Sequence, residues 1–145
     1  MKFSLLTGVV GAILFCSALI VSAAVTEPKD AKCPVSGKGC DPDVSAAFAG
    51  GKVWFCCGKC EAAFKADSAK FAAKSHQQMV STGQLKQIGC PYSGKAVDPA
   101  TMLDIGGASV GFCCNGCKGK TEKASPEEQV QMVFGNISKG FAPAK

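Results

Sequence analysis

Ten cysteines occur in this 145-residue chain, and nine of them fall into two groups of nearly matching spacing. The first group is Cys33, Cys40, Cys56, Cys57 and Cys60; the second is Cys90, Cys113, Cys114 and Cys117. In each, a lone cysteine opening "CPVSGK" or "CPYSGK" is followed much later by a cluster, "FCCGKC" or "FCCNGC". Cys56 or Cys57 can join Cys60 in aiming two sulfurs at one point across a strand-to-helix junction, where a helix N-terminus favours thiolate charge. Cys33, on its own turn, closes the set from the other side. Soft sulfur donors select Zn(II), Cu(I) or related heavy metals over calcium and magnesium. One such pair would say little. Two sets in register say more.

The register comes from a duplication. Cys33–Cys60 overlies Cys90–Cys117 without a gap at an offset of 57 residues, and 13 of 28 positions are identical. Cys40 alone lacks a counterpart, Val97 standing opposite it. Self-similarity of this kind marks repeated structural units, so the sequence predicts two copies of one small module.

Each copy reads as a knuckle, a β-hairpin and a helix. Pro and Gly around Cys33 and Cys90 suit a tight turn. Hairpin strands are expected over 44–49 and 52–55 with a turn at Gly50-Gly51, and over 101–105 and 109–112 with a turn at Gly106-Gly107. A helix is expected from about Gly58 through Met79, with Ala63, Phe64, Phe71 and Met79 on one face. The second copy is more broken, and a further helix starts at Pro126-Glu127-Glu128. Residues 81–89 link the copies. The boundaries are 1–24 for a leader, 25–80 for the first module, 81–89 for the linker and 90–145 for the second module with its C-terminal helix. The fold class is small α+β, as two tandem zinc-finger-like modules.

Modules of this size need a staple, because so small a core supplies only about 3–5 kcal/mol. A disulfide offers about 2–4 kcal/mol; a structural zinc site offers on the order of 10–16 kcal/mol. The leader bears on the choice. Lys2, an apolar run from Leu5 to Val21 and small residues at Ser22, Ala23 and Ala24 follow the order of a secretory signal, which implies export to a periplasmic or extracellular space. An uncleaved N-terminal membrane anchor is the alternative, and nothing after the leader is apolar enough to span a bilayer. Cys16 belongs to the leader. Export favours disulfides, yet nine cysteines cannot all pair within one chain. Metal binding is therefore the reading, and a disulfide-stapled interaction module or a thiol–disulfide carrier is the alternative.

The motif C-x22-C-x3-C within "CPVSGK…FCCGKC" and "CPYSGK…FCCNGC" resembles the TRASH and related YHS families, small modules associated with heavy-metal trafficking, resistance and sensing. The resemblance covers Cys33–Phe71 and Cys90–Lys123. It implies a treble-clef-like fold with metal ligands at Cys33, Cys56 and Cys60, then at Cys90, Cys113 and Cys117. Ser36 and Ser93 stand where many relatives carry a second cysteine, and no Tyr-His-Ser arrangement accompanies the motif. Three sulfurs suit trigonal Cu(I), or zinc completed by water or another side chain; Cys57 and Cys114 are the alternative fourth ligands. The expected cofactor is one Zn(II) or Cu(I) per module, and the expected partners are the metal ion and a protein that donates or receives it.

Other classes find little support. The formal charge of +5 comes from scattered lysines without a single arginine, unlike the basic stripe of a nucleic-acid binder. No Ser-His-Asp or Cys-His pair recurs in both copies, and the acids are spread out, so no enzyme is expected. His76, the sole histidine, is read as a surface residue. Asp41-Pro42 and Asp98-Pro99 are read as turns, and Met79, Met102 and Met132 as core. Cys40 is left open as a ligand, a partner for Cys57, or a free thiol.

Overall fold

The computed structural model describes Pro28 and residues 31–144. The expected leader, with Cys16, lies outside the described residues. Among the described residues the protein is a small α+β structure of four α-helices and three two-stranded antiparallel sheets. No helix there is long and apolar enough to cross a membrane.

Both copies build the same opening. In each knuckle the cysteine amide bonds to the carbonyl five residues on, Cys33 to Lys38 at 2.7 Å and Cys90 to Lys95 at 2.8 Å. Gly37 and Gly94 return a 2.8 Å bond to the cysteine carbonyl and hold φ of 72° and 70°, a conformation that costs glycine little. Strands β1 (Asp41–Phe48) and β2 (Gly51–Phe55) form the first hairpin, β4 (Asp98–Ile105) and β5 (Ala108–Phe112) the second. Each entering strand carries a register irregularity just after its Asp-Pro pair. There Asp41 and Asp98 accept the amides two residues on, at 3.0 and 2.9 Å. The two aspartates thus make side-chain turns that bend each strand into the hairpin.

The hairpin turns have two residues each, with positive φ at both, as the right-handed twist of the strands demands. In the second copy they are Gly106-Gly107, as the sequence predicts; in the first they are Ala49-Gly50, one residue earlier than the glycine pair suggests. Ala49 therefore sits at φ 47°.

After the cysteine clusters come helices α1 (Gly58–Ala66) and α3 (Asn115–Glu122). The long first helix expected through Met79 is interrupted. Helix α1 ends at Asp67, a 3-10 turn follows at Ala69–Phe71, and α2 (Ala72–Ser81) completes the segment. Asp67 accepts the Lys70 amide at 3.2 Å, so a side chain satisfies the backbone where the helix breaks. Helix α4 (Pro126–Phe134) starts as expected, with Pro126 in its first turn and a reciprocal capping box between Ser125 and Glu128.

The copies then join through equivalent parts. Strand β3 (Leu85–Gln87), inside the expected linker, pairs antiparallel with β6 (Phe141–Pro143) from the end of the second copy. Helices α2 and α4 pack together, tied by His76 Nδ1 to the Phe134 carbonyl at 2.9 Å and Lys74 to Glu127 at 2.7 Å. One core gathers Val53, Phe55, Phe64 and Met79; the other gathers Ile105, Phe112, Val133 and Phe134. Val80 and Ile137 pack against both, making the join apolar at its centre. Met79 is core as expected, Met132 is half-buried, and Met102 is 43% exposed.

Glutamines close the open hairpin edges. Gln78 bonds to both the amide and the carbonyl of Trp54 at 2.8 Å, and to the Lys32 carbonyl at 3.0 Å. Gln84 clamps Lys52 likewise, at 2.7 and 2.8 Å. In the second copy Gln87 clamps Gly111, the position matching Trp54, at 2.6 and 2.8 Å. A side-chain amide offers the same donor and acceptor as a peptide, so each glutamine stands in for a missing strand.

Candidate metal centre

Each cysteine cluster sits where a hairpin's second strand runs into a helix. Cys57 and Cys114 are the N-caps, with φ/ψ of −170°/163° and −168°/162°, so the backbone is still extended there and turns helical just beyond. One turn of helix later, Cys60 and Cys117 point back towards Cys56 and Cys113, with sulfurs 3.6 and 3.8 Å apart. The knuckle supplies the third sulfur. Those of Cys33, Cys56 and Cys60 all lie within 4.8 Å of one another, as do those of Cys90, Cys113 and Cys117. A zinc ion with Zn–S bonds of about 2.3 Å sets its sulfurs roughly 3.8–4.0 Å apart. The two trios are close to that spacing, and either could hold a metal ion.

The remaining cysteines take other places. Cys57 and Cys114 are exposed, with sulfurs 3.8 and 3.9 Å from those of Cys56 and Cys113. They adjoin the trios without belonging to them. Cys40 is buried away from the trio, donating to the Trp54 carbonyl at 3.2 Å and receiving Gln78 Nε2 at 3.4 Å. Burial first, then the charges of Cys33 and Cys56, push its thiol up to about 12. All nine described cysteines are free; the 3.6 Å between Cys56 and Cys60 is far from the roughly 2.05 Å of a disulfide.

The electrostatics divide each trio. Burial raises the Cys33 thiol, but the Ser36 hydroxyl and the amides of Cys56, Ser36 and Val35 around its sulfur outweigh it and bring it down to about 7. Cys90 comes down further, to about 6, where burial is outweighed by the amides of Cys113, Ser93 and Tyr92 and by the Ser93 hydroxyl. Burial and the neighbouring sulfurs push Cys60 and Cys117 up to about 12. One knuckle thiolate thus forms readily, and the helix sulfur beside it holds its proton until a cation arrives to offset the charge.

In the sequence Ser36 and Ser93 mark only positions where a cysteine is missing. Their hydroxyls lie 3.1 and 3.3 Å from the sulfurs of Cys56 and Cys113, and each also accepts an amide of its own knuckle at 3.3 Å.

Around the trios the copies differ in a compensating way. Val35 on the first knuckle packs against the core cluster that holds the buried Phe64, which lies on Phe55 with ring centroids 5.1 Å apart. At the matching positions the second copy has Tyr92 and Thr121, joined by a 2.7 Å hydrogen bond, with Tyr92 stacked on Phe112 and Lys120 Nζ 5.1 Å from its ring centre. The aromatic has changed sides, and the second surround is more polar. His76 belongs to neither trio; it sits against the Phe48 ring, at 5.2 Å between centroids, in the join between copies.

Compared with known protein families, curated proteins and solved structures, the chain gives no match.

Proposed function

We propose that the protein holds one soft or borderline heavy-metal ion in each half, Zn(II) or Cu(I), through the thiolates of Cys33, Cys56 and Cys60 and of Cys90, Cys113 and Cys117. Its role is to traffic, buffer or sense that metal, with no catalytic step. The observation that carries this reading is the recurrence of one compact three-sulfur cluster at matching positions of both copies, although about half of the aligned residues have changed. The succession of knuckle, hairpin and helix around each trio supports a treble-clef-like module and membership of the TRASH and YHS families. The leader pattern supports export, and with it a role outside the cytoplasm.

The test is exchange. Zinc-loaded protein is titrated with a competing chelator while its circular dichroism is followed. A trafficking or buffering site gives up its ion with the fold retained, because the joined hairpins and helices keep their cores. Unfolding in step with metal loss assigns the ion a purely structural role, and failure to take up metal at all ends the reading.

A further inference from the structure

Each trio has a closed side and an open one. Cys33 is 2% exposed and Cys90 fully buried, each wrapped in its own knuckle. On the other side Cys57 and Cys114 stand at the surface, with sulfurs 3.8 and 3.9 Å from those of Cys56 and Cys113. Neither side chain makes a geometric capping hydrogen bond; around each sulfur lie first-turn amides, chiefly those of Cys60 and Cys117, and the sulfurs of the trio. Serine or aspartate would cap better. Yet both copies keep a cysteine at this position, with the same backbone geometry, while the two residues that follow it differ.

We propose that Cys57 and Cys114 are transfer sulfurs through which each metal ion enters and leaves its trio, by exchange with a thiol-bearing partner. This rests on the metal-binding reading above and adds a route to it. In the outward step Cys57 forms a metal–sulfur bond as the bond to buried Cys33 breaks. The proton released by the Cys57 thiol is taken up by the vacated Cys33 thiolate. The ion is then held by Cys56, Cys57 and Cys60 at the surface. There two incoming thiols of the partner replace two of the protein sulfurs, each passing its proton to the sulfur it displaces; the third protein sulfur leaves as a water molecule takes its place on the ion, and takes its proton from solvent. No electron is transferred and the metal keeps its oxidation state. Cys114 does the same for the second trio. The partner this fits is a protein or small molecule presenting two neighbouring thiols, because stepwise replacement needs a second sulfur in place before the last protein bond breaks.

The experiment compares the full exported chain with its Cys57→Ser/Cys114→Ser variant, both loaded with Zn(II) and mixed with excess 2,3-dimercaptopropanol. Retained zinc is read by native mass spectrometry at timed intervals. The variant is expected to load the same amount of zinc and to lose it about tenfold more slowly or slower still, with a rate that no longer rises with dithiol concentration. Transfer as fast as in the parent, or faster, overturns the proposal and leaves the metal sites standing. So does a variant that fails to load zinc while keeping its circular dichroism, because the two cysteines would then be resident ligands. A parent chain that binds no zinc overturns the underlying metal reading as well, and is distinguished by its own blank.

Discussion

The hydroxyl of Ser36 lies 3.1 Å from the sulfur of Cys56, within the ring of groups that also brings down the Cys33 thiol. Ser93 and Cys113 repeat the contact at 3.3 Å. A serine that contacts one sulfur of a trio and favours the thiolate of another is well placed to orient them and to share their charge. Groups of this kind are worth about 10–100-fold in metal affinity. Ser36→Ala should weaken zinc binding at the first site by about tenfold and leave the second unchanged, as read by competition titration. Ser36→Cys places a fourth sulfur beside the trio, and the cobalt-substituted protein should then gain thiolate-to-metal absorbance at one site only.

The two sites should part with their metal at different pH. Protons compete with the ion for each sulfur, so a knuckle thiol that ionises at lower pH keeps its metal to lower pH. Cys90 is brought down to about 6 and Cys33 to about 7. The second site should therefore outlast the first as the solution is acidified. Cys60→Ser and Cys117→Ser isolate one site each. Acid titration of zinc release from the two variants should give the lower midpoint for the chain that retains the second site.

Gln78 is 3% exposed and satisfies three backbone groups from Trp54 and Lys32. Truncating it leaves the Trp54 amide and the Lys32 carbonyl without a partner, and the Trp54 carbonyl with only the weak Cys40 thiol donor, at about 1–3 kcal/mol for each unpaired group when fully desolvated. Gln78→Ala should lower unfolding stability by about 2–4 kcal/mol in urea denaturation. The clamp by Gln84 lies nearer solvent, where water can replace it, so Gln84→Ala should cost less than about 1 kcal/mol.

Ala49 occupies a left-handed conformation that its counterpart Gly106 adopts without a side chain. Relief of the steric cost, about 1–2 kcal/mol for an L-residue, outweighs the extra chain entropy of glycine. Ala49→Gly should raise the midpoint of unfolding slightly, and Gly106→Ala should lower it.

The sulfur spacing made much of this legible before any coordinates. A knuckle, a hairpin and a helix start are local structures, and Cys33, Cys56 and Cys60 recur at one spacing in each copy. The turn register of the first hairpin was off by one residue, because Ala49 takes a conformation that its residue type disfavours. The break at Asp67 was hidden by alanines on both sides, whose helix propensity says nothing of where a helix must bend to pack. Strands β3 and β6 are three residues long and far apart in sequence, too short for any periodicity. The glutamine clamps have no sequence signal, because an amide reads as surface until its backbone partner is known. The sequence places His76 at the surface, whereas it is half-buried at the join, because its partner Phe134 lies in the other copy.

The central claim is that each trio grips one ion. Native mass spectrometry of the exported chain, purified without reductant and alkylated before and after metal removal, tests it most directly. The account predicts two ions per chain, with the six trio sulfurs protected from alkylation while loaded and reactive once stripped. A chain that carries no metal and whose thiols are already paired as disulfides would contradict it.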